Sequence, residues 1–271
     1  MKIYSLVENT TDCGMSVEHG LSLYVVLNDG MNVLFDMGQG TLFAENAVKM
    51  GLNIADVDVA VLSHGHYDHG GGLETFMNLN TKAKIYIANS AFEPHYSEKE
   101  DGMKYIGLDQ NVLLRSDVDR LVFCNTNHHI ADNLLLFSDV QSSICTPKGN
   151  RLLFGPSVMI HDDFCHEQNL LIFEEEKTVL LAGCAHSGIV NIIQQSPVTP
   201  THVFAGMHLV HSDLSDSDET DFIETLCSYL RAYTTTQFYT MHCTGVDAYK
   251  KMKQYLAGQL DYLSCGAMVY V

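Results

Sequence analysis

The amino-acid sequence reads as an α/β protein built as one sandwiched domain. Short Val-rich apolar runs alternate with stretches whose apolar residues recur at helical spacing, and the C-terminal half repeats a strand-then-helix order. The 271 residues are 46% apolar and 18% charged, enough apolar material to fill a large core. Two weakly similar halves, each strands then helices, suit a single layered domain over residues 1–271 better than two separate ones.

The elements follow in order. Lys2–Val7 alternates as a strand, and Leu21–Leu27 and Asn32–Phe35 flank Asn28-Asp29-Gly30, the composition of a tight hairpin turn. Thr41 is placed to cap a helix through Met50, with Gly51 as its stop. Val57–Leu62 predicts a buried strand running into Ser63-His64-Gly65-His66-Tyr67-Asp68-His69-Gly70-Gly71-Gly72. A helix over Leu73–Leu79 and a strand over Lys84–Ala88 come next. From Phe92 to Arg120 the periodicity fades, and the stretch reads as an insertion or mobile lid over whatever site the histidines form. Order returns in the apolar runs Leu121–Cys124, Leu134–Phe137, Ser157–Ile160, Leu170–Phe173 and Thr178–Ala182. Three strand–helix units then follow: Val179–Ala182 with a helix over 188–194, Val203–Ala205 with a long helix over 218–233, and Gln237–Thr240 with a helix over 246–256. A last strand spans Ala267–Val271.

Fifteen Lys+Arg against thirty-three Asp+Glu give a formal charge of −18, which repels phosphate backbones and anionic lipids. The expected partner is therefore a small-molecule substrate, with no nucleic acid and no membrane, and oligomeric state is left open. No window approaches a membrane span, and Glu8 falls where a secretory peptide would place its apolar stretch, so a cytoplasmic location is expected. The eight cysteines are scattered without a Cys-x-x-Cys pair, which argues against disulfides and zinc ribbons and for small buried apolar residues.

Fourteen histidines point instead to transition-metal chemistry. Three strands end in them: Val57–Leu62 at His64, His66, Asp68 and His69; Thr178–Ala182 at Gly183-Cys184-Ala185-His186; Gln237–Thr240 at Met241-His242-Cys243. Val203–Ala205 adds a fourth end at Gly206-Met207-His208. Ligands gather at the carboxyl ends of strands in layered α/β folds, so these loops are expected to meet. Residues two apart in an extended segment point the same way, so His64 and His66 can reach one ion. The glycines then turn the chain, bringing Asp68 and His69 toward a second. Two ions roughly 3.5–4 Å apart would hold a bridging hydroxide and polarise the oxygen it attacks. Zinc is the first choice for this mixed N/O set, with manganese, iron and nickel as alternatives. His208 reads equally as ligand, substrate contact or structural residue. His19, His128, His129, His161, His166, His202 and His211 default to structural or surface roles, with His19 and His166 the first to be promoted.

Leu62-Ser63-His64-Gly65-His66-Tyr67-Asp68-His69 resembles the His-x-His-x-Asp-His signature of the metallo-β-lactamase superfamily. The segments Glu18-His19-Gly20-Leu21-Ser22, Leu34-Phe35-Asp36-Met37-Gly38-Gln39, Gly183-Cys184-Ala185-His186-Ser187-Gly188-Ile189-Val190-Asn191, Gly206-Met207-His208-Leu209 and His242-Cys243-Thr244-Gly245 are similar to one branch of it. That branch is the dihydropterin ribofuranosyl-aminobenzene phosphate synthase group and its relatives. The resemblance implies a four-layer αβ/βα sandwich with a dinuclear site along one edge. By its pattern His64, His66 and His186 hold the first ion, and Asp68, His69 and His242 the second, while Asp36 supports a metal-binding His from behind. Many relatives carry Gly-Asp where this chain has Gly183-Cys184, and that Asp bridges both ions. Cys184 is then either a thiolate ligand or a buried spectator, and the second ion is expected to bind more weakly.

The first function these residues suggest is metal-assisted hydrolysis, a metal-bound hydroxide attacking a small ester, lactone or phosphoester. His208 is the candidate acid and His19 the second, with Asp68 a ligand that also orients the hydroxide. The start of the helix at Gly188 is a candidate anion site. The alternative, carried by resemblance alone, is a transferase like the synthase branch, which takes phosphorylated and pterin-like substrates. Phe92, Tyr96 and Tyr105 in the lid would then stack on the pterin, or else simply pack there. A non-catalytic metal-binding sensor is the third option; no ligand position is missing, which counts against it.

Overall fold

The computed structural model describes residues 1–210 and 212–271; His211, expected in a structural or surface role, lies outside them. In chain order the elements are β1 (Lys2–Val7), β2 (Ser22–Val26), β3 (Asn32–Phe35), α1 (Leu42–Lys49), β4 (Val59–Val61), α2 (Tyr67–Gly70), α3 (Leu73–Leu79) and β5 (Lys84–Ala88). Next come β6 (Tyr96–Lys99), β7 (Gly102–Tyr105), β8 (Leu121–Cys124), β9 (His128–Ala131), β10 (Leu134–Ser138), β11 (Leu153–Phe154), β12 (Gln168–Glu174) and β13 (Lys177–Ala182). The chain ends with α4 (Ile189–Gln195), β14 (His202–Ala205), α5 (Ser217–Arg231), β15 (Gln237–Thr240), α6 (Val246–Leu256), β16 (Leu260–Tyr262) and β17 (Met268–Tyr270).

Two seven-stranded sheets, β17-β1-β2-β3-β4-β5-β8 and β16-β15-β14-β13-β12-β10-β9, carry the fold. Each is antiparallel on one side and parallel on the other, through β3-β4-β5-β8 and β13-β14-β15-β16. The side chains show why the strands read as continuous apolar runs. Val33 and Phe35 of β3 face Leu134, Leu170 and Leu181 of the other sheet, whereas Leu34 between them packs with Phe43, Phe76 and Met77 of α1 and α3. In β13, Val179 and Leu181 face the first sheet while Leu180 and Ala182 pack on α4, α5 and α6. Strands buried on both faces need apolar residues at every position, and the result is the expected helix–sheet–sheet–helix sandwich. Among the described residues no helix is long and apolar enough to cross a membrane.

Three local expectations are corrected. Ser157–Ile160 is a turn at a loop tip, with Val158, Met159 and Ile160 exposed. Pro156 has no N–H to give a ladder, and the Phe154–His161 bridge pins both ends of the loop. Thr41 stands at the head of α1, but its hydroxyl donates to Glu45 Oε1 at 2.8 Å instead of capping the backbone. Residues 92–120 also hold regular structure: β6 and β7 form a hairpin that pairs with β11 as a third, three-stranded sheet. Within the two large sheets, strands β3, β4, β13, β14 and β15 all end toward one edge, where the histidine-bearing loops leave them.

Candidate metal centre

After β4 the chain bends at His64 and Gly65 and is extended at His66, and the one-turn helix α2 begins directly after. That turn of helix, and not the glycines, re-aims the chain so that Asp68 and His69 face a different point from His64 and His66. His186 arrives from the end of β13 and His242 from the end of β15. The donor atoms of His64, His66 and His186 lie within 4.8 Å of one another, and all three side chains are buried. Around Asp68 Oδ2 stand His19 Nε2 at 3.2 Å, His242 Nε2 at 3.3 Å and His69 Nε2 at 3.9 Å. Asp36, Ala185, His208 and His242 all adopt left-handed backbone, with φ of 61°, 51°, 48° and 49°. Such conformations cost energy in non-glycine residues, and here they gather at one site.

The hydrogen bonds fix which ring nitrogen of each histidine carries a proton. Ser63 N–H donates to Asp36 Oδ1 and Ser63 Oγ–H to Asp36 Oδ2, each at 2.7 Å. The Ser63 hydroxyl, its proton spent, accepts from His64 Nδ1 at 2.8 Å. Asp36 Oδ2 also accepts from His69 Nδ1 at 2.7 Å. Asn9 Oδ1 accepts a hydrogen bond from His242 Nδ1 at 2.9 Å. Asn150 donates through its amide to the His186 carbonyl, so its Oδ1 accepts from His186 Nδ1 at 3.0 Å. The rings of His64, His186 and His242 therefore present a bare lone pair at Nε2, and His69 does so once it gives up its second proton.

Those lone pairs are the test of whether metal fits. His64, His66 and His186 bury their Nε2 atoms with no hydrogen-bond partner among the described residues. His69 Nε2 and His242 Nε2 face each other at 3.1 Å, with the extra proton of the raised His69 between them in the metal-free chain. Buried acceptors left unpaired are costly unless a cation lies among them, and a proton or a metal ion is what can separate the facing nitrogens of His69 and His242. The donor set fits divalent transition-metal ions, His64, His66 and His186 on one side and Asp68, His69 and His242 on the other. Partners behind the ligands (Asp36, Asn9, Asn150, Ser63) hold the tautomers this requires.

The electrostatics agree. Burial holds His64, His66 and His186 well below the ordinary imidazole range, and neighbouring imidazoles lower them further. Burial alone would also lower His69, but the carboxylates of Asp36 and Asp68 push it up to about 9. Burial opposes ionisation of Asp68, yet the facing imidazoles of His69, His19 and His242 hold its carboxyl well below the usual range. His19 is raised, chiefly by its hydrogen bond to Asp68.

Cys184 sits between the two groups, its Sγ 3.2 Å from His69 Nε2 and close to His64. His208 reaches the same place, its ring 4.5 Å from that of His186, with a buried Nδ1 that has no partner among the described residues. His19, Asp68, His208 and Cys184 line one cleft, whose far wall is Ser97 and Lys99 of β6 with Leu152 and Leu153. The start of α4 is not on that cleft. Just before it, Glu167 accepts the N–H groups of His186 at 2.6 Å and Ser187 at 2.9 Å.

Sequence reasoning passed over His95, Asp162, Asn9, Asn150, Glu167 and Cys243. Asp162 Oδ2 lies 2.9 Å from His95 Nδ1 and 3.3 Å from His166 Nε2, behind His66. Gly65 N–H donates to His166 Nδ1 at 2.9 Å, so His166 holds its proton on Nε2, donates a hydrogen bond from there to Asp162 and braces the loop. The remaining histidines lie elsewhere: His128 beside Tyr86, His129 on β9, His161 stacked on Phe154 and His202 beside Thr201.

The family model of the metallo-beta-lactamase superfamily matches residues 17–192. The chain is 26% identical to the protein MJ0448 of Methanocaldococcus jannaschii, across 92% of this chain and 93% of that protein. It is 23% identical to the 7,8-dihydropterin-6-methyl-4-(beta-D-ribofuranosyl)-aminobenzene-5'-phosphate synthase of the same organism, across 99% and 96%. The crystal structure of Tm1679, a metal-dependent hydrolase of the beta-lactamase superfamily, superposes with a TM-score of 0.80 at 26% identity, over 100% of this chain and 99% of that one. Sandwich, histidine-bearing edge and family model together place the chain in the metallo-beta-lactamase superfamily, to which it belongs.

Proposed function

We propose that this chain is a metal-dependent hydrolase of a small ester, lactone or phosphoester, working with two divalent ions, zinc by preference. The observation that carries the reading is the set of buried, partnerless Nε2 atoms of His64, His66 and His186 beside the Asp68, His69 and His242 group. Bound there, divalent ions supply Lewis acidity and make a water nucleophilic at neutral pH. Asp68, ionised and open to the cleft, accepts a hydrogen bond from the attacking water and turns its lone pair toward the substrate. His208 lines the same cleft as Asp68 and delivers the proton to the leaving group, with His19 as the second acid. Leu152 and Leu153 exclude bulk water from that transfer, and the β6–β7 hairpin serves as the lid, bringing Lys99 to an anionic substrate. The charge of −18 favours a small molecule over a nucleic acid or a membrane as partner.

A group-transfer reading is favoured by one observation, the near-full-length similarity to the dihydropterin synthase. Its substrate would be phosphorylated and pterin-like, and the same residues would activate a leaving oxygen.

Elemental analysis of the purified protein should find about two transition-metal equivalents per chain. Phosphodiester, phosphomonoester, lactone and thioester compounds should then be screened, with the pterin condensation alongside. Replacing His208 with Ala should leave metal content intact and lower turnover about 10²–10⁴-fold. Full activity in metal-free protein would refute the reading, and loss of metal in the His208 variant would make that residue a ligand.

A further inference from the structure

The metal centre as read so far is short of negative charge. His64, His66, His69, His186 and His242 are neutral ligands, and Asp68 alone is anionic. Two divalent ions held by one carboxylate in a buried pocket leave most of their charge uncompensated, a costly state in a medium of low dielectric. The bridging carboxylate of many relatives is replaced by Cys184 here, and one thiolate at that place only restores what the substitution removed.

A second sulfur lies beside it. The donor atoms of Cys184, His242 and Cys243 lie within 4.8 Å of one another, all three side chains are buried, and both sulfurs line the cleft. The fold makes room for Cys243 Sγ. A Cβ on Gly206 would run into that sulfur, so the glycine at the end of β14 lets the two strand ends close around it. His208, in left-handed backbone, turns its N–H onto Cys243 Sγ at 3.2 Å. An N–H directed at sulfur favours thiolate over thiol. On the other side stand the Cys184 carbonyl at 3.7 Å, beyond a strong hydrogen bond, and the Cys184 sulfur, which shares a side-chain hydrogen bond with Cys243. A cysteine that merely filled space in the core would need neither the cleared glycine nor the directed amide.

We infer that Cys243 supplies a second thiolate ligand beside Cys184, making the ion held by Asp68, His69 and His242 a sulfur-coordinated one. The inference rests on the metal-centre reading above. It brings the anionic ligands to three and tilts the second position toward zinc, cobalt and other thiophilic ions, and away from magnesium or calcium. The same two sulfurs make that position the oxidation-sensitive half of the pair.

The test uses the full chain loaded with Co²⁺ and read by absorption spectroscopy, without an activity assay. Visible d–d bands report bound cobalt, and a near-ultraviolet sulfur-to-cobalt charge-transfer band reports thiolate ligation. The wild type should show both. Cys243→Ser and Cys184→Ser should each lose about half of the charge-transfer intensity, and the double variant all of it, with d–d bands from the first ion kept. Zinc K-edge absorption on the wild type needs no variant and should place sulfur at about 2.3 Å, on average one per zinc. Absent d–d bands would sink the metal-centre reading and this inference with it. Normal d–d bands with no charge transfer, or full charge transfer in folded Cys243→Ser, would leave that reading standing and overturn the thiolate assignment.

Discussion

Asp36 is the root of the tautomer chain that arms the site. Its Oδ1 is committed to the Ser63 backbone N–H, while its Oδ2 accepts from Ser63 Oγ and His69 Nδ1. In Asp36→Asn the backbone N–H forces the amide oxygen into the Oδ1 place and the NH₂ into the Oδ2 place. His69 must then show a lone pair at Nδ1 and carry its proton on Nε2, the atom that faces the second ion. Affinity for that ion should fall about 10–100-fold in a competitive chelator titration while the first ion stays bound. Unchanged affinity for both ions would show that Asp36 does not set the tautomer. The ligands themselves were legible because they crowd into one loop or end a strand. Their supports were not: Asn150 reaches His186 across 36 residues and Asn9 reaches His242 across 233, a pairing that only the folded chain makes. His95 was passed over because it lies in the stretch without periodicity, and Cys243 because it reads as a small apolar residue after a histidine. The turn at Asp68 was expected from glycines and is made by α2 instead, four residues being too few for periodicity to reveal a helix.

At the level of elements, the histidine loop is held by how closely it lies on its neighbour. Gly65 sits so near the backbone of Ala91, beyond the end of β5, that a Cβ would overlap the Ala91 carbonyl oxygen and come within 2.9 Å of its Cα. Backbone cannot swing aside as a flexible side chain can. Gly65→Ala should therefore cost about 1–3 kcal/mol of stability and pull His64 and His66 out of register. A drop in both melting temperature and metal content is the expected pair of readings, and a variant that melts and binds metal like the wild type would contradict the close-contact account. The strand before it, β4, was readable for the reason that makes it rigid: Val59, Ala60 and Val61 are buried on both faces, so each position had to be apolar. The β6–β7 hairpin escaped notice because most of its residues are exposed and its cohesion comes from backbone pairing, which leaves no hydrophobic pattern. Ser157–Ile160 failed in the opposite sense, an apolar run that Pro156 and the pinned loop ends keep out of any sheet.

Over the whole molecule, two sheets press a nest of imidazoles into a low-dielectric seam, and this ties folding to protons and metal together. In the metal-free chain His64, His66 and His186 are held well below their ordinary value of 6.5, so below that pH the unfolded chain takes up protons that the folded one refuses. Stability is therefore lost as pH falls from 6.5. His69 acts with the opposite sign. Its folded value of about 9 lies above 6.5, so its contribution, on the order of 3 kcal/mol, is complete below 6.5 and disappears as pH rises to about 9. The proton on His69 separates its Nε2 from that of His242, and alkaline solution removes it. The metal-free protein should accordingly melt highest near neutrality and several degrees lower at either pH 5 or pH 9. Zinc takes over the work of that proton, so the loaded protein should hold its melting temperature through pH 9 and fall only on the acid side, where protons compete for the ligands. An alkaline decline of equal size with and without zinc would mean that His69 and His242 do not share an ion.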